Sequence, residues 1–424
     1  MISRFPTGIA LLAAAALLAG LAVSAGASSA KRPSKPAARY FLAPNGSDSG
    51  SCTRARPCRS LSRAYGLAKP GQIVQLATGT YPAGQSLRYS SAKQSAKRRV
   101  VFRAAPGAHP VIGSLEIEGG QHISLIGLDF RRDLGMTALD RSSSSSPRAT
   151  DILVQGGRIQ SFHITSVKNV TIAGNEIGNY RFADGFGSNS IYSDEQGPST
   201  NVLVQNNVFH NIVAKPATHA ECLFVKSVAG LRIRGNRMLG CPGLAIAIYD
   251  LATGRTDNIT IENNFMSCGN AAGDRCYGGS YVIEASTKGR QVINNLVVRF
   301  NTALAYPGNP GGLAIIPGGP FQGQNRMYGN LAGSACVPRD RSWYGGYNVV
   351  TERSSACPTN RVVRDFTGRL AGAGAGNFHL LPGSPAIRAV PAGVCKAYGC
   401  PSRDIDGQKR NSKKRLDAGA DQRK

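Results

Sequence analysis

Only six histidines occur in the 424 residues, and one of them, His219, opens the stretch HAECLFVKS, with Glu221 and Lys226 close behind. A histidine changes charge near neutral pH, a carboxylate exchanges protons, and a lysine stripped of its proton is a base, so these three residue types together suit acid–base chemistry. Paired carboxylates offer a second chemistry, hydrolysis of a glycosidic bond. Asp194 with Glu221 and Asp250 with Glu284 are the pairs for that role, with His219 in support. The same stretch also has a structural reading, in which Cys222 bonds Cys241 and both His219 and Glu221 are corner residues bonded to loop backbone. Nucleotide and zinc-hydrolase chemistry lack their devices: there is no G-x-S-x-G, no H-E-x-x-H and no G-x-x-x-x-G-K loop.

The elements that must position these residues are repetitive. VTIAGN (170–175), VLVQNN (202–207), LRIRGN (231–236), ITIENN (259–264) and LVVRFN (296–301) each alternate apolar residues and end in Asn, at intervals of 32, 29, 28 and 37 residues. Alternation reads as a strand that buries one face, and self-similarity at this period reads as a solenoid. Unequal intervals with several short strands per repeat favour a parallel β-helix over a propeller, whose blades need regular meanders. Asn tolerates a left-handed backbone and can bond its own neighbours, so Asn175, Asn207, Asn236, Asn264 and Asn301 are expected to stack at one corner for structural reasons, with left-handed tolerance as the sufficient cause. Period-two alternation then points Leu223 and Val225 inward, with Ile246, Ile248, Tyr281 and Ile283 on later coils. It throws Lys226, Tyr249 and Glu284 outward, with Tyr192 one coil earlier. A row of Tyr, Lys, Tyr and Glu suits a sugar: aromatic faces pack on pyranose rings while charges address carboxylates and hydroxyls.

Residues 1–30 read as a secretory signal peptide, with an apolar run from Ile9 to Val23 too short to span a bilayer and small residues after it. A basic linker, 31–39, precedes an N-terminal cap with the first coils (40–110), in which a helix from Ser60 to Ala68 and a strand from Ile73 to Leu76 are expected. Coils fill 111–335, and 336–424 form a C-terminal cap with a basic, solvated tail from Lys409. Ten cysteines in an exported chain favour disulfides, and pairing by neighbour (52–58, 222–241, 268–276, 336–357, 395–400) is the expectation, although spacing does not fix connectivity. A net charge of +26 points to an acidic partner. No nucleic-acid reader motif accompanies it, so no specific nucleic-acid partner is expected. The mature chain is expected to be a monomer without a transmembrane segment.

The opening YFLAPNGSDSGS with AKPGQIVQLATGTYP, together with the strand phrases ending in Asn, resembles secreted right-handed parallel β-helix proteins of the pectate-lyase-like superfamily. The close, LLPGSPAIRAVPAG through RDIDGQKRNSKKRLDAGADQ, resembles the C-terminal segment of the choice-of-anchor kind, with Arg388 and Gln422 where that pattern carries acids. The resemblance implies an all-β, right-handed parallel β-helix with a helix-containing N-terminal cap. It also implies a reaction: β-elimination on an acidic polysaccharide, in which a Lys or Arg takes the proton beside the carboxylate and Ca²⁺ held by acidic residues neutralises it. By coil position Lys226 is the base, Arg232 and Arg234 are substrate clamps on the next strand, and Asp184, Asp194 and Glu195 hold the Ca²⁺, with Glu221 nearby. The alternatives are a non-catalytic β-helix associated with cell-wall or matrix glycans, and a glycoside hydrolase built on the paired carboxylates.

Overall fold

A computed structural model of the chain describes residues 37–181, 189–193, 197–213, 221–249, 255–269, 276, 281–286, 292–305, 309–316, 320–337, 341–353, 357–366 and 368–423. Short parallel strands wind into coils with three faces, the right-handed parallel β-helix expected for parallel crossovers. The first face is a continuous sheet that includes Gln121–Ile126, Thr150–Gln155, Lys168–Ala173, Ser199–Gln205, Val228–Arg234, Arg255–Glu262 and Val292–Arg299. The second carries Glu176–Arg181, Val208–Val213, Arg237–Cys241, Phe265–Cys268 and Thr302–Ala305. On the third lie Leu115–Glu118, Asn189–Tyr192, Glu221–Val225, Leu244–Tyr249 and Tyr281–Ser286. Two long strands, Asp129–Thr137 and Arg158–Thr165, bend through both the second and the third.

Strict register converts the alternation of the sequence into columns. On the first face Ile123, Ile152, Val170, Val202, Leu231, Ile259 and Leu296 stack inward, each paired with the next. Ile117, Met136, Ile164, Ile191, Val225, Ile248 and Ala285 make the facing column on the third. All of these are buried, and each fully buried aliphatic side chain contributes roughly 1.5–3 kcal/mol. Tyr281, expected inward, leaves the pattern because the register slips between Tyr281 and Ile283, and it is only half-buried.

The repeated asparagines do stack at one corner, between the first and second faces, but for a different reason from the one expected. Left-handed geometry falls on the residue before each: Gly174, Asn206, Gly235, Asn263 and Phe300 have positive φ, and Asn175, Asn207, Asn236, Asn264 and Asn301 do not. Each ladder asparagine instead spans three coils. The Asn236 backbone N–H and Nδ2 both donate to Asn264 Oδ1, at 2.9 and 3.0 Å, and Nδ2 also donates to the Val204 carbonyl of the coil before, at 2.9 Å. The chain of bonds runs on unbroken through Asn301, Asn330 and Asn348 to Asn360. An aspartate lacks the amide donors this needs, and a glutamine is one carbon too long.

The N-terminal end is closed by the helix Leu61–Leu67, capped by Ser60, whose hydroxyl accepts from Arg63 N–H. Leu61, Ala64 and Tyr65 form its buried side. Tyr65 reaches 56 residues ahead to donate to the Gln121 carbonyl at 2.7 Å. The five disulfides pair by neighbour, as expected. Among the described residues no helix is long and apolar enough to cross a membrane.

The basic tail is solvated only in part: residues 411–415 are exposed, whereas Arg410 and residues 416–421 are buried. Leu416, Ala418 and Ala420 are buried with Phe378 and Leu380 against Phe265, Phe300, Leu304 and Leu331 of the coils, so the last segment lies along their flank. Arg410 fastens it. Only 3% exposed, it sits over the Phe300 ring, donates to the Gly419 and Ala420 carbonyls at 2.9 Å each, and reaches Gln422 Oε1 at 3.2 Å. Burial lowers its pKa to about 10 against the opposing pull of Asp404, Asp417 and Asp421. Gln422, where the resembled pattern has an acid, thus serves as a neutral acceptor.

The ladder yields a contrast between neighbours. Asn264→Ala removes the acceptor of the Asn236 N–H and Nδ2 and the amide donor to the Ile233 carbonyl and Asn301 Oδ1, which keeps only the backbone N–H of residue 264, a loss of about 3 kcal/mol from unmade buried hydrogen bonds. Asn206→Gly, at an exposed left-handed position, is expected to change stability by less than about 1 kcal/mol. Urea denaturation followed by circular dichroism compares the two, and equal losses would contradict this division of labour.

Candidate functional site

Alternation leaves two rows of side chains on the outer side of the third face. The first is Glu116, Gly135, His163, Ser190, Phe224, Ala247 and Glu284, each paired with the next. The second lies two residues further along each strand. It includes Glu118, Thr137, Thr165, Tyr192, Lys226 and Ser286, with Lys226 following Val225, which pairs with both Ile191 and Ile248; the Tyr249 backbone holds the matching position beside Ser286. Successive members sit about 4.8 Å apart along the axis, the spacing of neighbouring strands.

Tyr192, Lys226 and Tyr249 thus occupy one register position on three successive coils. Tyr192 and Lys226 are half-buried, and the Tyr192 ring meets Phe224 edge-on at 5.6 Å. Burial, with the Glu221 charge adding to it, raises the Tyr192 pKa, so its hydroxyl keeps its proton through neutral pH. For Tyr249 the backbone pairing with Ser286 is what fixes its place. Glu284 belongs to the other row, beside Phe224 and Ala247, and is only 4% exposed.

Other expectations change. Glu221 follows the alternation of Leu223 and Val225 rather than that of Lys226, and is 2% exposed. It is therefore neither a solvated corner residue nor a neighbour of Lys226 on the outer surface. Arg232 and Arg234 do lie on the following strand, but the chain turns at Ser227 (φ 49°) onto the first face, so they line a different wall from Lys226. His219, Asp184, Asp194, Glu195 and Asp250 lie outside the described residues.

Three residues on the third face were not anticipated. His163 reaches Glu116 Oε1 through Nε2 at 3.5 Å and pairs closely with Asp133 through Nδ1. Asp133 also accepts from Ser161 Oγ at 3.1 Å, and Glu116 from Thr137 Oγ1 at 3.3 Å. Gly135 makes this possible. It stands in the row between Glu116 and His163, and a Cβ there would overlap the Glu116 carboxylate. Burial by itself would lower the His163 pKa, but hydrogen bonds to Asp133 and Glu116, reinforced by their charges, push it up to about 10. The imidazolium is a fixed cation between two carboxylates rather than a free base. The signal was in the sequence: LEIE and FHIT carry the same alternation as CLFVK, two to four coils earlier.

Near the C-terminal segment, ligand-type atoms of His379, Asp406 and Asp421 lie within 4.8 Å of one another. Arg237 already places its guanidinium 3.0 Å from Asp406, His379 Nε2 is 2.6 Å from the same carboxylate, and Asp421 accepts the Leu380 N–H at 2.8 Å. The group is a polar fastening between coil and strap.

No family model matches the chain. Over 147 residues it is 28% identical to the uncharacterized protein YwoF of Bacillus subtilis (strain 168), a match covering 32% of this chain and 31% of that one. The match thus spans under a third of that relative's length. Among solved structures the chain is similar to pectate lyase Pel9A, at 16% identity and a TM-score of 0.41, covering 91% of this chain and 96% of that one. XylC in complex with xylose follows a similar path at 10% identity and a TM-score of 0.47, over 90% and 98%. A rhamnogalacturonan lyase does so at 11% and 0.33, over 88% and 94%. None of these likenesses bears on which side chains act.

The raised His163 pKa has a measurable consequence. An unfolded histidine titrates near ~6.5, whereas the folded one holds its proton to about 10. Its stabilisation is therefore complete below pH ~6.5, declines as pH rises between the two values and is gone above the folded pKa. The side chain is 34% exposed, so solvent screening shrinks the effect. In His163→Gln, thermal melts from pH 6 to 10 are expected to lose part of the downward slope seen in the parent; parallel curves would refute the assignment.

Proposed function

We propose that this protein is exported, binds an acidic polysaccharide along the outer third face, and cleaves it by β-elimination at Lys226. The observation that carries this reading is the shared register of Tyr192, Lys226 and Tyr249. It sets the Tyr192 ring and the Lys226 amine at successive steps along the axis, with the Tyr249 backbone at the next, a track on which a linear glycan can lie. Five disulfides support an oxidising destination.

The chemistry asks little more of the chain. Lys226, in its uncharged form, takes the proton from the carbon next to the uronate carboxylate; the electron pair forms a carbon–carbon double bond as the bond to the glycosidic oxygen breaks. That oxygen needs a proton, and Tyr192, held protonated by its raised pKa, is the neighbouring donor. Phe224, edge-on to Tyr192, supplies apolar surface for a ring face. Because the base must be neutral, turnover should rise with pH.

The test is incubation with polygalacturonate, alginate and glycosaminoglycans, with and without Ca²⁺, followed by the ultraviolet absorbance of unsaturated uronates. Lys226→Ala is expected to reduce turnover by about two orders of magnitude or more, the usual scale of general-base catalysis, and Tyr192→Phe to lower it with little change in fold. No absorbance on any polymer would remove the lyase reading, and polymer binding indifferent to Lys226→Ala would leave a non-catalytic glycan-binding β-helix.

A further inference from the structure

The first face carries an arginine arrangement that the reaction does not use. Gln205, Arg234, Glu262 and Arg299 occupy one outward register position on four successive coils, with Arg232 two residues before Arg234. Residues 400–407 of the C-terminal segment arch over this row, and together they enclose a cleft of roughly 680 Å³. That is the size of pockets that hold small ligands.

Charge in the cleft is unevenly paired. Glu262, with a side chain only 5% exposed, takes both Nε and NH2 of Arg299, at 2.9 and 2.6 Å. Arg232 approaches the other oxygen of Glu262 no nearer than 3.7 Å and is half exposed. Arg234 spends Nε and NH2 on the neutral Gln205 Oε1, at 2.9 and 2.8 Å, and among the described residues it makes no ion pair. Asp406, on the opposite lip, is already held by Arg237 and His379. Asp404 spends its oxygens on the backbone N–H groups of Asp406, Gln408 and Gln422. Arg234 therefore faces the cleft with no carboxylate partner among the described residues, and Arg232 shares the single Glu262 carboxylate with Arg299, so the guanidinium groups of this row outnumber its carboxylate, beside the amides of Gln205 and Asn206 and the hydroxyl of Ser402.

We infer that this cleft binds an anionic saccharide, its carboxylate or sulfate held by Arg232 and Arg234 and its hydroxyls by the surrounding amide and hydroxyl groups. Planar guanidinium forks match an oxyanion with two hydrogen bonds at once. The amides, which neither attract nor repel charge, suit the uncharged remainder of a sugar. The C-terminal segment is the outer wall, which gives its docking on the coils a use beyond closure. The site lies on a different face from Lys226 and stands whether or not the third face is catalytic.

Isothermal titration of the full chain in a Lys226→Ala background separates the two. The probes are a galacturonate oligosaccharide, a sulfated oligosaccharide, an uncharged xylo-oligosaccharide and inorganic sulfate. Saturable binding of one of the charged oligosaccharides is expected, and which of them binds identifies the anion. Arg234→Gln should weaken it about tenfold or more, as loss of charge-assisted hydrogen bonds does, and Arg232→Gln with Arg234→Gln should abolish it. Arg234→Lys, which keeps the charge but not the fork, should fall between, with unchanged melting temperature in all variants showing that the fold is intact. Equal affinity for the uncharged sugar, equal affinity for bare sulfate, no binding of either charged oligosaccharide, or binding untouched by the double substitution would each overturn the inference.

Discussion

From Asn175 to Asn360 each coil must turn at the same place, and the asparagine ladder is what enforces that. A side chain that must accept from one coil and donate both to the next and to the carbonyl of the one before tolerates no slippage. In a sheet of period two, a shift of one residue would exchange the inward and outward sets entirely. The pinned corner therefore protects two things together: the apolar columns that supply most of the stability, and the outward rows that bring residues from distant parts of the sequence side by side. Tyr192 aligns with Lys226 only because their two coils, joined by the Asn175–Asn207 step of the ladder, are in phase.

The winding was legible because it is local. Alternation and the recurrent Asn are visible within six residues, and pairing each cysteine with its neighbour works in a solenoid because a short separation in sequence means the same or the adjacent coil. The cause assigned to the ladder was less accessible. Left-handed tolerance and amide hydrogen bonding are both properties of Asn, and in VLVQNN the two adjacent asparagines divide them, Asn206 taking the backbone geometry and Asn207 the bonds.

The site was legible in direction but not in company. Alternation correctly sends Lys226 away from Leu223 and Val225, yet a single strand does not announce which of three faces it belongs to. Arg232 stands six residues after Lys226, close enough to suggest one site, and the turn at Ser227 parts them. Conversely, Glu116 and His163 are 47 residues apart and meet across Gly135, whose contribution is to have no side chain. The tail misled through composition: Lys409, Lys413, Lys414, Arg415 and Arg423 are exposed, while Arg410 is buried and Leu416, Ala418 and Ala420, beside the buried Asp417 and Asp421, carry the packing.

Charge divides between the faces in a way that bears on how an acidic polymer would engage the protein. On the third face one imidazolium, His163, lies between Glu116 and Asp133, and Arg88 pairs with Glu118, so two of these three carboxylate charges are offset. Cancellation is not attraction, however, and a chain carrying +26 overall has its surplus elsewhere. Part of it stands in Arg232, Arg234 and Arg326 on the first face and in the exposed lysines and arginines of the C-terminal segment. A field of that sign draws a polyanion toward the molecule and weakens steeply with salt. On the proposed function, the third face would then set the local contacts, where rings and hydroxyls discriminate better than net charge. Long-range capture and local recognition would fall to different walls of the same coil, which a three-faced solenoid permits because each face is presented by its own set of strands.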